Sequence, residues 1–234
     1  MKFLHSTFQS RQSQSSSASR MNYISNVQNI RDPQKRADAY DLEGNVLFAE
    51  GHFYDALNRY QQALYLRQSN SFGQNSDLRI AESYRNIGAV YYKMNNFTLS
   101  LRNHEMALSI RERTLGRNNL LTSDSYENIG VVYRSLGNTK KALEYLEIAL
   151  QIRKQLDSGN YSQGAGMKLK VATSFYDIGT VYRDMGDLQR AYSYHKEALQ
   201  IRQSYLHDAN NQQLIESTLA VRELEASLGI RKYY

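Results

Sequence analysis

From residue 37 onward the apolar positions recur with helical spacing, and the pattern returns four times along the chain. AYDLEGNVLFAEGHFYDALNRYQQALYLR, SYRNIGAVYYKMNNFTLSLRNHEMALSIR, SYENIGVVYRSLGNTKKALEYLEIALQIR and SFYDIGTVYRDMGDLQRAYSYHKEALQIR can be laid over one another. Their anchoring glycines, Gly44, Gly88, Gly130 and Gly179, lie 44, 42 and 49 residues apart. With the glycine counted as position 8 and a turn of about 100° per residue, positions 4, 7, 8 and 11 share one stripe about 100° wide. That stripe is Tyr84, Ile87, Gly88 and Tyr91 in the second unit, Tyr126, Ile129, Gly130 and Tyr133 in the third, and Phe175, Ile178, Gly179 and Tyr182 in the fourth. It predicts the buried face of a first helix. Glycine is costly inside a helix, so its recurrence predicts a second helix approaching too closely for a side chain. The second helix offers small residues to match: Ala56, Ser100, Ala142 and Ala191 at position 20, and Ala63, Ala107, Ala149 and Ala198 at position 27. GH, NN, GN and GD, beginning at Gly51, Asn95, Gly137 and Gly186, separate the helices with residues that tolerate a left-handed turn.

Each unit therefore reads as a helical hairpin, and hairpins that cannot bury their apolar faces alone must stack. The expected fold is an all-α solenoid of four hairpins over 37–68, 81–114, 123–156 and 172–206, followed by a capping helix over 210–229 and a tail over 230–234. The cap carries Leu214, Ile215, Leu219, Leu224 and Leu228 among charged residues, with Gly229 as its stop. Residues 1–36 carry the run SRQSQSSSASR and no periodicity, which predicts a disordered basic arm. The first hairpin has no evident lid unless residues near Met21 to Ile30 form a short helix.

Composition narrows the chemistry. The 234 residues include no Cys and one Pro, which removes thiolate metal sites, thiol nucleophiles and a turn-rich all-β fold. No run of 18 apolar residues argues for a membrane partner. The net charge of +6 is concentrated in the arm, since residues 1–36 hold +5 and the remainder +1, so the repeats lack the basic sheath that nucleic acid requires. The cytoplasm is the expected location, with mitochondrial import through the basic, Ser-rich start as the alternative.

The residues assembled so far, an aromatic followed by Ile-Gly, Tyr at position 11, Gly at 15 and Ala at 20 and 27, resemble the tetratricopeptide repeat. The long period and the recurring SY-x-NIG-x-VY and AL-x-IR strings are similar to the 42-residue repeats of kinesin light chains and related scaffolds. The resemblance covers about residues 37–206. It implies a right-handed α-solenoid whose concave groove holds an extended peptide, with no cofactor and no catalysis of its own. By the same resemblance the groove is lined by Asn45, Arg85, Asn86, Tyr92, Lys93, Asn128, Arg134, Tyr176, Asp177 and Arg183. Asn offers a donor and an acceptor to a peptide main chain, and Arg offers a planar fork to carboxylates, so the expected ligand is an acidic segment. The alternatives are a regulatory domain serving a separate enzyme, a motor cargo adaptor, and a self-associating module joined through the first hairpin. The first unit departs from the pattern, with Leu42 and Glu43 in place of Asn-Ile, and no heptads precede the repeats.

Other features read as structural. His104 and His195 share position 24 with Tyr60 and Leu146, which marks a packing position. Arg67, Arg111, Arg153 and Arg202 at position 31 are expected to serve nearby carbonyls and to pack their stems on the next unit. Gly164 to Gly166 lies in the insertion DSGNYSQGAG and reads as loop rather than phosphate cradle. No zinc-protease motif or nucleophile elbow is present, and the acceptor tripeptides at Asn96 and Asn160 have no export signal to use them. Tyr233 and Tyr234 carry no assigned role.

Overall fold

The computed structural model describes residues 27, 29–70, 76–158 and 164–230. These form helices α1 (Pro33–Ala49), α2 (Phe53–Ser69), α3 (Ser76–Lys93), α4 (Phe97–Leu115), α5 (Leu120–Ser135), α6 (Thr139–Ser158), α7 (Gly164–Asp184), α8 (Leu188–Tyr205) and α9 (Gln212–Ser227), with no strand among them. The architecture is all-α, a series of paired helices with a trailing helix. The chain divides into two compact units, one ending at Val90 and the other starting at Tyr91.

In the first unit α1 begins at Pro33, inside the stretch expected to be arm. Pro33 sits where no amide donor is missed, and the Asp32 carboxylate caps the helix by accepting from the amides of Gln34 at 2.9 Å and Lys35 at 3.3 Å. The rest of the expected arm, apart from Val27 and residues from 29 on, lies outside the described residues. Val27 is buried with Ala37 and Tyr40 of α1 and Ala63 of α2. Glu43, standing where other units carry Ile, is buried on α1 and pairs with Arg59 of α2 at 3.0 Å.

The second unit holds α5 against α6, α7 against α8, and α9 against α8. One apolar cluster runs from Leu108 through Ile129, Leu146 and Ile178 to Leu224 of α9. Tyrosines line its margin: Tyr145 lies 5.9 and 5.5 Å from the rings of Tyr126 and Tyr133, and Tyr194 lies 6.0 and 5.4 Å from Phe175 and Tyr182. The trailing helix buries Ser217, Ala220, Val221 and Leu224, while Ile215 and Leu219 face outward. GAG is not loop, because α7 starts at Gly164.

The turns follow the expected chemistry. Gly51, Asn95, Gly137 and Gly186 have φ of 82°, 57°, 75° and 79°. Each helix end closes with a six-to-one bond, from His52 to Leu47, Asn96 to Tyr91, Asn138 to Tyr133 and Asp187 to Tyr182, at 2.8 to 3.0 Å.

The second helix does approach too closely for a side chain at position 8, and the structure shows which group enters the space. A Cβ on Gly44 would stand 2.7 Å from the Tyr60 ring, one on Gly130 2.7 Å from Leu146 Cγ, and one on Gly179 3.0 Å from the His195 ring. The glycine is thus a slot for the large side chain at position 24, rather than the counterpart of the small residues at 20 and 27 alone. His195 is fully buried in this slot with no hydrogen-bond partner on either ring nitrogen, and burial, aided by Arg183 and Arg202, lowers its pKa to about 4. A histidine that stays neutral when folded but titrates near 6.5 when unfolded contributes stability that is present above 6.5 and lost as pH falls toward 4. His195→Leu, copying Leu146, is therefore expected to outperform the unchanged chain progressively from pH 6.5 to 4, by a further ~3 kcal/mol at the acid end. Denaturant unfolding of both proteins across that range checks it; a constant difference would mean that His195 does not titrate in this way.

Candidate peptide-binding face

The position 31 arginines are the most regular polar feature of the fold, and they bond forward to the following helix. Arg67 donates to Ser83 Oγ at 2.6 Å, Arg111 to Ser125 at 2.9 Å, Arg153 to Ser174 at 2.7 Å and Arg202 to Ser217 at 2.5 Å. Each also donates to the carbonyl one turn before that serine, at Arg79, Leu121, Lys170 and Gln213. All four arginines are buried. The carbonyls belong to the following helix rather than to the end of the arginine's own. The signal was available in sequence, because Ser83, Ser125 and Ser174 all occupy position 3.

Carboxylates join the clasps of Arg67 and Arg153. Arg67 pairs with Asp38 at 2.9 Å and Asp41 at 2.6 Å, and Arg153 pairs with Asp124 at 2.6 Å and with Glu127. In the fourth unit the corresponding positions are Thr173 and Tyr176. Arg202 lies 4.9 Å from the Tyr176 ring centroid instead, and burial lowers its pKa.

The residues expected to line the groove fall into two sets. On the first unit, Asn45 is exposed and accepts from Tyr60 Oη at 2.7 Å. Arg85 is held by Glu82 and donates to Asn86 Oδ1 at 2.7 Å. Asn86 is only 7% exposed, because its helix face is largely covered, so it is not a free ligand group.

On the second unit, Tyr92 Oη meets Ser135 Oγ at 3.0 Å, Arg134 donates to Asp184 Oδ2 at 2.6 Å, and Arg183 lies 3.8 Å from Glu223. Position 12 thus reaches the next first helix or the trailing helix, and these arginines are not free cations. The pairs are partly exposed, so each stabilises the fold by no more than about 1 kcal/mol and yields readily to a competing carboxylate. Lys93 is exposed, and Asn128, Tyr176 and Asp177 are half-buried. Tyr176 stands edge-on to His195 at 4.8 Å, and burial raises its pKa.

Asp177 occupies position 6, where Asn128 stands one unit earlier. Burial, reinforced by Glu127 and opposed by Arg153, Arg134 and Arg202, pushes its carboxyl up to about 8. At pH 7 it is held protonated. In its protonated form Asp177 offers a peptide main chain the same kind of donor and acceptor as Asn128.

The paired helices, glycine slots and forward arginine clasps define a protein of stacked helical-hairpin repeats. Tetratricopeptide repeats match residues 79–155 and 171–206. Over those residues the chain carries tetratricopeptide repeats. Among solved structures it is similar to BtubC (BKLC) from P. vanneervenii, with a TM-score of 0.73, 20% identity, and coverage of 91% of this chain and 82% of that one. It is also similar to a Rap protein complexed with Competence and Sporulation Factor, with a TM-score of 0.66, 20% identity and coverage of 82% and 49%. A putative kinesin light chain with nearly identical TPR-like repeats from Podosopora anserina aligns with a TM-score of 0.64, 15% identity and coverage of 86% and 90%. These likenesses establish fold. No curated protein matches the chain significantly. Among the described residues no helix is long and apolar enough to cross a membrane, and no group of three or more His, Asp or Glu is placed to hold a metal.

Proposed function

We propose that the chain is a cytoplasmic scaffold that binds an extended acidic peptide segment along the first-helix face of its repeats, with Asn128 and Asp177 bonding the main chain and Arg134 and Arg183 taking carboxylates. The observation that carries the reading is the pairing of two neutral donor–acceptor groups with two arginines, one of each on α5 and on α7. A groove formed before binding lowers the ordering cost of association. The partial exposure of the Arg134 and Arg183 ion pairs supports the reading, since a ligand carboxylate displaces Asp184 or Glu223 at little cost. A protein of the same fold solved with Competence and Sporulation Factor supports it in kind.

The test is fluorescence anisotropy with a labelled aspartate- and glutamate-rich heptapeptide containing one Tyr. Arg134→Glu with Arg183→Glu is expected to weaken binding at least about tenfold while leaving the circular dichroism spectrum unchanged; equal affinity in both proteins removes the reading. The pH dependence gives a second check. Asp177 becomes anionic as pH rises through about 8, so affinity for the acidic peptide is expected to fall above that point and to stay flat in Asp177→Asn.

A further inference from the structure

The first repeat differs from the others along one line of its leading helix. Positions 3, 6, 10 and 13 read Ser83, Asn86, Val90 and Lys93 in the second unit, Ser125, Asn128, Val132 and Ser135 in the third, and Ser174, Asp177, Val181 and Asp184 in the fourth. Among these polar residues are the acceptors of the arginine clasps and the partners Ser135 and Asp184. In the first unit the line is Ala39, Leu42, Val46 and Ala49. The valine at position 10 is 0%, 1% and 0% exposed at Val90, Val132 and Val181, but 57% exposed at Val46, with Leu42 beside it at 60%. Leu42, Val46 and Ala49 are exposed, while Ala39 is partly buried against the Val27 cluster. The stripe has lost the polar groups that receive another unit of this kind and gained apolar ones.

The spacing of the stripe, three then four then three residues, is that of a heptad seam, which packs against another helix carrying the same spacing. The stripe is its own complement. Run antiparallel about a two-fold axis at Gly44, Leu42 faces Val46 of a second copy and Ala39 faces its Ala49, so the small residues at the ends let the helices close. Charges agree with that register. Arg36 and Glu50 lie on one side of the stripe within about 40° of each other, at nearly equal distances from the axis, so each meets the opposite charge on the second copy. The chain's own segment at Val27 packs chiefly on Ala37 and Tyr40, which face about 150° round the helix from the stripe, and touches the stripe only at its Ala39 end. We propose that the protein self-associates as a symmetric dimer through Ala39, Leu42, Val46 and Ala49 of α1.

Sedimentation equilibrium of the full chain from low to high micromolar concentration tests this. The unchanged protein is expected to show a monomer–dimer equilibrium, and Leu42→Asp with Val46→Asp to raise the dissociation constant at least about a hundredfold. Both side chains are exposed in the monomer, so the double variant is expected to keep its melting curve at dilution. Arg36→Glu is expected to weaken the dimer, and adding Glu50→Arg to restore it. A monomer at every concentration overturns the proposal, as does a dimer that survives both aspartates, which would lie on another surface. A monomeric parent whose melt is lowered by the aspartates would show that the stripe is covered by residues 1–26 of the same chain, again against the proposal.

Discussion

Replacing Arg153 by Met is expected to destabilise the protein by about 3–5 kcal/mol, lowering the melting temperature by on the order of 10 °C. The guanidinium is 1% exposed and sits among Ser174, the Lys170 carbonyl, Asp124 and Glu127. The cost comes less from the lost attraction than from what remains in a partly buried site, Glu127 without its arginine and Asp124 with Lys170 alone. Neutralising them with Asp124→Asn and Glu127→Gln in the Met background is therefore expected to recover much of the loss. Arg202→Met is the control. Its clasp contains Ser217, a carbonyl and the Tyr176 ring, with no carboxylate ion pair among the described residues, so it is expected to cost clearly less. Equal melting temperatures for the two Met variants would show that the carboxylates contribute nothing to the third clasp.

Gly130→Leu is expected to cost at least about 2 kcal/mol, despite the roughly 1 kcal/mol that any ordinary residue gains over glycine in a helix. The new Cβ would stand 2.7 Å from Leu146 Cγ and 3.2 Å from the carbonyl oxygen of Ala142. Leu146 can change rotamer, but the carbonyl belongs to the backbone of α6 and moves only with the helix. Thermal melts of Gly130→Leu, Leu146→Ala and the double variant measure the coupling: the pair should cost less than the sum of the singles. An unchanged melt for Gly130→Leu would remove the slot account of position 8.

The hairpins were legible because four copies of one pattern expose period, turn and buried stripe at once, and a helical period read four times leaves little freedom. The turn residues were equally legible, since Asn95 and the three glycines in its place share one backbone requirement. The role of position 8 was less so. Periodicity shows that glycine lies on the buried face, but not which opposing side chain enters the space, and Tyr60, Leu146 and His195 have no common chemistry to reveal it. On the candidate face, sequence identified Arg134 and Arg183 as outward-facing, but their engagement depends on the helix that follows, where Asp184 and Glu223 happen to stand. Asp177 shows the reverse limit: its burial, invisible in the letter D, holds it protonated, with the same kind of donor and acceptor as Asn128.

The forward clasp makes each repeat directional, with a plug at position 31 and a socket at position 3. The trailing helix offers the socket Ser217 and thereby accepts the last plug. Because every interior joint uses the same two residue types, a copy of one repeat inserted between two others would find both its connections ready, so the array can change length by duplication without redesigning a joint. The first repeat stands outside that rule: it has the plug Arg67, but Ala39 where the socket would be, and a repeat placed ahead of it would bury an arginine with no hydroxyl to receive it.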